Sequence, residues 1–460
     1  MDYREFIHSK TRKAKPMGFE PGELPPRLFD WQKDVVTWAV RRGRAALFED
    51  CGLGKTLQQL AWADQVYKYT GKPVLILMPI GIRQQTLREA EKFGIEGAYI
   101  CNDSSEVKPG IALTNYEKLH RIDCRLFAGV VLDESSILKS YTGSIKRQLI
   151  EQFSETPYRL ACTATPAPND HMELGNHAEF LGVMPSNEML SRWFINDTMK
   201  AGGYRLAKHA RNDFWRWVAT WAVGISKPSD LGNYSDEGYV LPELFVDYHI
   251  AEVEIEPPPG YFFPTGKTSA TTLHAERRQT APARAEIVAE RLAASDDYWL
   301  VWCDTDYEAD ELTKRIPHAI EVRGSDKESS KEAKLSAFSL GEERVLITKP
   351  TVAGFGMNWQ HCCQADFVGK SFSYEQFYQA VRRIYRFGQK RDVNIGVVLA
   401  EGDGAALEAS IRKELQHTEL MAGIAQALKG QNLQITSELQ REVYQAEKKM
   451  ELPAWLRQTL

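Results

Sequence analysis

The sequence predicts an α/β protein with two tandem parallel-sheet lobes, a helical insertion between them and a helical carboxy-terminal segment. At 460 residues the chain is too long for one ordinary hydrophobic core. In two stretches, short apolar runs alternate with helix-length segments, the pattern of βαβ units with parallel strands. The predicted strands are 45–48, 74–78, 111–114, 130–132 and 158–162 in the first stretch, and 299–303, 320–322, 345–348, 365–368 and 394–399 in the second.

The segments between these stretches differ in composition. We expect an amino-terminal extension (1–26), a first lobe (27–170), a helical insertion (171–250), a linker (251–282), a second lobe (283–402) and a helical segment (403–460). The linker is assigned from its prolines and small polar residues. The insertion is rich in tryptophan, which could stack on bases or separate strands. The helical spacing of Phe214, Trp217, Val218 and Trp221 instead favours a place in the core.

Bulk composition is that of a globular protein, at 43% hydrophobic and 26% charged residues. No apolar run reaches the roughly 18 residues of a membrane span, so no membrane association is expected. Seven cysteines without a C-x-x-C pair argue against disulfides or zinc and favour a reducing cytoplasm. A net charge of −5 neither supports nor excludes nucleic-acid binding.

A glycine-rich loop follows the first predicted strand and precedes an amphipathic helix. Glycines let backbone N–H groups turn toward a phosphate, and the helix N-terminus adds further donors. The loop comprises Gly52, Leu53, Gly54, Lys55 and Thr56. Lys55 is expected to reach the β- and γ-phosphates of ATP, and Thr56 to bind Mg²⁺. Glu49 replaces the first glycine of the strict pattern. A second Gly-Lys-Thr string, 266–268, follows a proline-rich stretch and is interpreted as coincidence.

Two carboxylates end the buried-type strand at 129–134. In a phosphate-loop ATPase, Asp133 would bind Mg²⁺ and Glu134 would position the attacking water. The alternative is an ordinary acidic pair on the surface.

Several motifs occur together in a fixed order. EDCGLGKT is similar to D-E-M-G-L-G-K-T, and LDESSILKS to D-E-A-H-x-x-K-N. TATP, RGSDKESSKEAKLSAF, TVAGFGMN and QAVRRIYRFGQKRDV follow, the last resembling Q-A-x-x-R-x-x-R-x-G-Q-x-x-x-V. Together these motifs resemble those of the Swi/Snf-like group of the superfamily 2 helicases and ATPases. The resemblance implies two RecA-like lobes, ATP and Mg²⁺ as cofactors, and DNA as partner, with double strands favoured and single-stranded or forked DNA possible.

The resemblance also implies roles for individual residues. Trp31 and Gln32 would contact the adenine, and Gly356 would lie at the nucleotide. Gln379 would face the attacking water, while Arg383 and Arg386 would act as arginine fingers. The alternative is a basic solvated helix face, but the matching Gly388 and Gln389 favour the fingers. The expected contacts to the DNA backbone are Arg83, Gln84, Thr114, Gly324, Ser325 and Thr351.

The sequence departs from the family pattern at three places. Ser135 and Ser136 replace Ala-His, Ala164 replaces glycine, and Thr351 stands where arginine is frequent. The compact plan is similar to small bacteriophage and prophage helicases, which implies a bacterial or phage-infected cytoplasm and allows a monomer.

The sequence thus predicts an ATP-dependent DNA translocase or helicase that couples hydrolysis between two lobes to movement along DNA. A strand-separating helicase acting on forked DNA or RNA stays open. A nucleotide-switched DNA-binding or assembly factor with little motor activity is the alternative from another class. A restriction-type motor subunit is conceivable, although no nuclease or methyltransferase motif accompanies the lobes.

Overall fold

The protein is built on two separate parallel β-sheets. The computed structural model describes residues 16–79, 82–139, 143–197, 203–253, 270–353, 357–369 and 373–429. Within them the predicted α/β class with two tandem parallel-sheet lobes is confirmed. None of the helices in these ranges is both long and apolar enough to cross a membrane.

The first sheet has seven strands in the order β3-β4-β2-β5-β6-β1-β9, all parallel. Its central strands are apolar along their whole length because helices cover both faces of a parallel sheet. The strands are β1 (Arg44–Glu49), β2 (Val74–Met78), β3 (Ala98–Ile100), β4 (Ile111–Asn115), β5 (Gly129–Asp133), β6 (Tyr158–Cys162) and β9 (Ala222–Ile225). The accompanying helices are α1 (Asp30–Arg42), α2 (Lys55–Thr70), α3 (Arg83–Lys92) and α4 (Ser144–Gln152).

The second sheet has six parallel strands in the order β10-β15-β14-β11-β13-β12. Its strands are β10 (Leu244–Ala251), β11 (Trp299–Cys303), β12 (Ile320–Val322), β13 (Val345–Thr348), β14 (Gln364–Val368) and β15 (Val393–Ala400). Its helices are α8 (Ala270–Ala293), α9 (Asp306–Arg315), α10 (Glu328–Ser339), α11 (Pro350–Ala353) and α12 (Tyr374–Val381).

The segment between the lobes differs from the expected helical insertion. It contains α5 (Leu174–Phe180), α6 (Ser186–Trp193), α7 (Arg211–Ala219) and an antiparallel hairpin of β7 (Phe194–Asp197) and β8 (Gly203–Leu206). Its end, however, contributes β9 to the first sheet and β10 to the second. The expected boundaries at 171 and 250 therefore cut through both sheets. The helix α8 begins inside the expected linker, at Ala270, and residues 1–15, 254–269 and 430–460 lie outside the described ranges.

The tryptophans of this segment lie in the hydrophobic core, which confirms the core interpretation. Trp221 is fully buried and contacts Phe48 of β1 edge to face, with ring centroids 5.9 Å apart. Trp217 stacks on Trp193 at 4.7 Å and lies 5.4 Å from Trp221. These rings join the insertion to the first sheet and are closed to nucleic-acid bases.

A long carboxy-terminal helix, α13 (Gly404–Lys429), connects the two lobes. It follows β15 of the second sheet and packs on α7 and β9 of the first lobe. Glycine is required where it meets α7, because a β-carbon at Gly423 would lie 2.7 Å from the indole of Trp215. The helix therefore spans from one lobe to the other.

We predict that Trp221→Ala destabilises the first lobe by about 3–5 kcal/mol, because it leaves a large cavity beside Phe48. Urea unfolding followed by circular dichroism should show an earlier first transition. Leu126→Ala, at a site 41% exposed, serves as the control and should change stability by less than about 0.5 kcal/mol. Equal midpoints for the two variants would contradict the core assignment.

Candidate nucleotide site between the lobes

The glycine loop lies at the carboxyl end of β1, the edge where parallel sheets bind ligands. Gly52 and Gly54 have φ angles of 93° and 80°, in the region that side chains disfavour. Their positive φ angles turn the chain from β1 into α2, which begins at Lys55. The loop thus has the backbone conformation and the following helix N-terminus that an anion site needs.

Lys55 folds back over the loop. Its Nζ donates to the carbonyl oxygens of Glu49 at 2.6 Å and Asp50 at 2.9 Å. Beneath it, the Glu49 carboxylate accepts a hydrogen bond from Gln58 Nε2 at 2.8 Å. Burial raises the pKa of Glu49 to about 7, against the opposing effects of Lys55 and Gln58. Glu49 therefore supports the loop from inside the lobe, at the position where the strict motif has glycine.

The acidic pair ends β5, which is separated from β1 by β6 alone. Asp133 Oδ1 accepts from Gln59 Nε2 at 2.9 Å, and its carbonyl oxygen accepts from Tyr116 at 2.8 Å. Burial raises the pKa of the Asp133 carboxyl, while Gln59 and Lys55 lower it. The Asp133 carboxylate and the Thr56 hydroxyl are the hard oxygen ligands that Mg²⁺ prefers. The residues present therefore fit a magnesium ion.

Glu134 is fixed by its backbone and by two hydroxyl groups. Its φ of 65° is the only positive value among non-glycine residues in the described ranges. Ser136 Oγ donates to its Oε1 at 2.8 Å, and Thr163 Oγ1 donates to the same oxygen. Burial raises the pKa of Glu134 to about 7, and the nearby Glu375 of the second lobe raises it further. Both residues of the pair are half-buried and Glu134 lies near Glu375 of the second lobe, which argues against an ordinary acidic pair on the surface.

The two serines that replace Ala-His turn inward. Ser135 is fully buried and its Oγ lies 3.1 Å from Nε2 of His177, on α5. Burial lowers the pKa of His177 to about 4, so its ring is neutral at physiological pH. With Ser136 on Glu134, both serines hold the acidic loop within the first lobe. No signal along the sequence pairs Ser135 with His177.

The motif with the paired arginines belongs to the second lobe. Helix α12 ends at Val381, so these arginines lie on the turns that follow it and not on a helix face. Arg383 is 8% exposed and donates to the carbonyl oxygen of Met357 at 3.1 Å; Arg386 donates to the same oxygen at 3.2 Å. Burial lowers the pKa of Arg383 to about 10. The solvated-face interpretation is therefore wrong. Gln379 is 2% exposed, and its Nε2 has no hydrogen-bond partner within the described ranges.

The arginine turn packs directly on the glycine loop. A β-carbon at Gly52 would lie 3.0 Å from the Phe387 nitrogen and 3.7 Å from Arg386 Cβ. The predicted residues thus border the cleft from two sides: the loop (Gly52, Leu53, Gly54, Lys55 and Thr56) and the acidic pair (Asp133 and Glu134) on the first lobe, and Gln379, Arg383 and Arg386 on the second. Gly356 lies outside the described ranges.

The residues predicted to contact adenine border the same loop. Gln32 donates to the Leu53 carbonyl oxygen at 2.8 Å and accepts from the Phe29 nitrogen at 3.0 Å. Trp31 is 4% exposed, and its ring meets Tyr239 edge to face at 5.9 Å. Tyr239 also lies 4.8 Å from the Phe387 ring. Sequence reasoning missed Tyr239 because it lies in the segment assigned to the insertion.

The predicted DNA contacts fall into three groups. In the second lobe Gly324, Ser325 and Thr351 are exposed, and a β-carbon at Gly324 would lie 3.8 Å from Val352 Cγ2. In the first lobe Gln84 is exposed, while Arg83 donates to Asn102 at 3.1 Å. The predicted DNA contact of Thr114 is wrong. This residue is fully buried in β4, the second strand from one edge of the first sheet, and its side chain is closed to DNA.

We predict that stability falls as pH drops from about 6.5 toward 4, because unfolded His177 then takes up a proton that the folded protein excludes. His177→Gln should flatten this acid limb when urea midpoints are measured across that range. His318→Gln, at an exposed site, is the control and should leave the limb unchanged. Parallel acid limbs for wild type and His177→Gln would contradict a neutral buried ring.

The chain is similar to several known proteins. The family model described as "SNF2-related domain" matches residues 31–216. "DNA annealing helicase and endonuclease ZRANB3" of Bos taurus is 29% identical over 191 residues, covering 38% of this chain and 18% of that protein. "SWI/SNF-related matrix-associated actin-dependent regulator of chromatin subfamily A-like protein 1" of Bos taurus is 22% identical over 422 residues, covering 83% of this chain and 43% of that protein. The chain thus spans less than half the length of these relatives.

A solved structure, "Sulfolobus solfataricus SWI2/SNF2 ATPase core in complex with dsDNA", aligns with 92% of this chain and 99% of its own, at 18% identity and a TM-score of 0.43. The predicted likeness to phage and prophage helicases stays a prediction, since the relatives named above are animal proteins. The family model and the ordered motifs agree over the first lobe. The chain therefore contains an SNF2-related domain, which spans residues 31–216.

Proposed function

We propose that the chain is an ATP-driven DNA translocase, in which hydrolysis at the cleft moves the two lobes along DNA. The observation that carries this proposal is the contact of the arginine turn with Gly52. In this contact the turn that carries Arg383 and Arg386 packs against the glycine loop of the other lobe. Duplex DNA is the favoured track, and the printed names of the relatives, which mention DNA annealing and chromatin, support that choice.

On the first lobe, backbone N–H groups and Lys55 would bind the phosphates. Lys55 Nζ now donates to the carbonyl oxygens of Glu49 and Asp50 and would exchange them for phosphate oxygens of bound nucleotide. Mg²⁺, held by Thr56 and Asp133, would neutralise charge on the phosphates. Gln59 donates to one oxygen of the Asp133 carboxylate and so orients it.

Glu134 would position the water that attacks the γ-phosphate. Ser136 and Thr163 donate to one of its oxygens, which leaves the other free to accept a hydrogen bond from water. Both hydroxyls also favour the carboxylate form, the form able to accept a proton. The strained backbone at Glu134 is consistent with a role that needs one fixed orientation.

On the second lobe, Arg386 and Arg383 would stabilise charge on the γ-phosphoryl group. Both now donate to the Met357 carbonyl oxygen, a neutral acceptor that a charged phosphate would outcompete. Loss of the γ-phosphate after hydrolysis would remove this link between the lobes and open the cleft. Contacts of Arg83, Gln84, Gly324, Ser325 and Thr351 to the DNA backbone would convert opening and closing into sequence-independent movement.

We predict that duplex DNA stimulates ATP hydrolysis by the purified chain and that Lys55→Ala abolishes the stimulated rate. Lys55 is the only lysine in the loop, so its loss removes the charge that holds the phosphates. Phosphate release should be measured without nucleic acid and with duplex DNA, single-stranded DNA, forked DNA and RNA. Lys72→Ala, at an exposed lysine beyond the end of α2, is the matched control and should retain the wild-type rate.

The outcomes separate the alternatives. Preference for duplex DNA together with displacement of a triplex-forming strand would support translocation. Preference for forks or single strands would favour a strand-separating helicase. Hydrolysis that no nucleic acid stimulates would refute the motor and leave a nucleotide-switched binding factor.

We predict that Arg386→Ala lowers kcat by about 10³-fold or more, since an arginine finger acts on the transition state. ATP affinity should change little because the phosphate loop belongs to the other lobe. Stimulated hydrolysis and binding of a fluorescent ATP analogue should be measured on the same preparation. Arg125→Ala, at a site 87% exposed, is the control. A loss confined to affinity, with kcat unchanged, would contradict the finger assignment.

A further inference from the structure

Two ion pairs cross the cleft, one at each end of α12. At its first turn Glu375 pairs with Lys139 of the first lobe. Just beyond its last residue Arg382 pairs with Asp50, which precedes the glycine loop. Both first-lobe partners stand next to nucleotide-site residues, since Asp50 follows β1 and Lys139 ends the 3₁₀ turn after Glu134.

The Asp50 pair is enclosed. The Asp50 and Arg382 side chains are 12% and 16% exposed. Tyr378 and the Cys51 nitrogen both donate to Asp50 Oδ1, while Arg382 donates to Oδ2, so each carboxylate oxygen is used. The Arg382 guanidinium also lies 5.2 Å from the ring centroids of Tyr378 and Tyr385. Such a pair is strongly oriented, because bulk water cannot replace its hydrogen bonds.

The Lys139 pair is supported from the first lobe. The Glu375 side chain is 9% exposed and that of Lys139 is 41% exposed. Asn176 of α5 donates to the Leu138 carbonyl oxygen at 2.7 Å and so fixes the turn that carries the lysine. The end of the turn is therefore held in place before it meets α12.

The pairs have opposite polarity, with the acid on the first lobe at one end and on the second lobe at the other. This arrangement favours one direction of α12 against the first lobe, because in the opposite direction like charges would face each other. Gln379 lies between the two pairs, and Arg383 and Arg386 follow the second. Glu375 and Arg382 thus stand on either side of the groups that act on the γ-phosphate. Arg382 occupies a position that the motif Q-A-x-x-R leaves unspecified.

We propose that Glu375 and Arg382 are positioning residues, which set the arginine turn on the phosphate loop through Lys139 and Asp50. This inference rests on the proposed hydrolysis of ATP at the cleft. The pairs use protein charges alone, so they need no bound nucleotide to form. They should therefore govern kcat and the closure of the cleft, and not the affinity of the first lobe for ATP.

The test is charge reversal followed by charge exchange in the full chain. Glu375→Lys and Arg382→Glu are each made alone, then combined with Lys139→Glu and Asp50→Arg respectively. The Lys139–Glu375 exchange is decisive because Asp50 adjoins the loop itself. Arg315→Glu reverses a charge in a surface cluster inside the second lobe, with Glu286 and Glu311, and is the matched control.

Three quantities are measured for each variant: DNA-stimulated kcat, the Kd of a fluorescent ATP analogue, and hydrogen exchange without nucleotide at residues 50–55 and 383–388. Each single charge reversal should lower kcat about tenfold to a hundredfold and speed hydrogen exchange in both segments. The Kd of the ATP analogue should stay within about twofold of the wild-type value. The double variant Lys139→Glu/Glu375→Lys, with its charges swapped, should bring both kcat and the hydrogen-exchange rates back to within about threefold of wild type. Arg315→Glu should match wild type throughout.

The proposal would be overturned if Glu375→Lys and Arg382→Glu showed the same hydrogen-exchange rates as wild type. It would also be overturned if Lys139→Glu/Glu375→Lys had no higher kcat and no slower hydrogen exchange than Glu375→Lys alone, provided that circular dichroism shows a folded protein. If wild type hydrolyses no ATP, the proposed function fails, but the exchange rates still decide whether the pairs hold the lobes together.

Discussion

The close approach of the arginine turn to Gly52 is the contact on which the nucleotide site depends. It requires the absence of a side chain at Gly52, since a β-carbon would lie 3.0 Å from the Phe387 nitrogen. It also requires that the carboxyl ends of β1 and β5 meet the second lobe at one edge. Parallel strands satisfy this requirement, because all of their carboxyl ends lie at the same side of the sheet. The fold therefore supplies the loop and the acidic pair, and the contact between lobes supplies the arginines.

Within the first lobe, the replacement of Ala-His by two serines changes how the acidic turn is held. Ser136 donates to Glu134 and Ser135 meets a neutral, buried His177. Both hydrogen bonds stay inside the lobe. The turn can thus keep Glu134 in place whether the cleft is open or closed. Communication with the second lobe then falls to the residue at the end of the same turn, Lys139, and its partner Glu375.

Strands buried on both faces, such as β2 and β5, could be predicted because a short, continuous apolar run is typical of a parallel sheet covered by helices on both faces. The loop and the acidic pair could be predicted because their residues are adjacent in sequence. The strands β9 and β10 could not, since β9 has four residues and the edge strand β10 is largely exposed. The predicted DNA contact of Thr114 was wrong for a related reason, because a motif gives the position of a residue but not the direction of its side chain. The cross-cleft pairs join residues 236 and 332 positions apart, which local patterns do not encode.

The lobes are joined in two physically different ways, and the difference bears on how a motor could move. Helix α13 follows β15 after a short 3₁₀ turn and packs on α7 and β9, with Leu420 and Ile424 in the core of the first lobe and Gly423 set tightly against Trp215. Such packing tolerates little change in spacing because interiors are dense. The ion pairs around α12 are oriented polar contacts, which can be exchanged for water once the cleft opens. Opening about the α13 contact, with α12 releasing its charged partners, would therefore break the polar contacts and preserve the apolar ones.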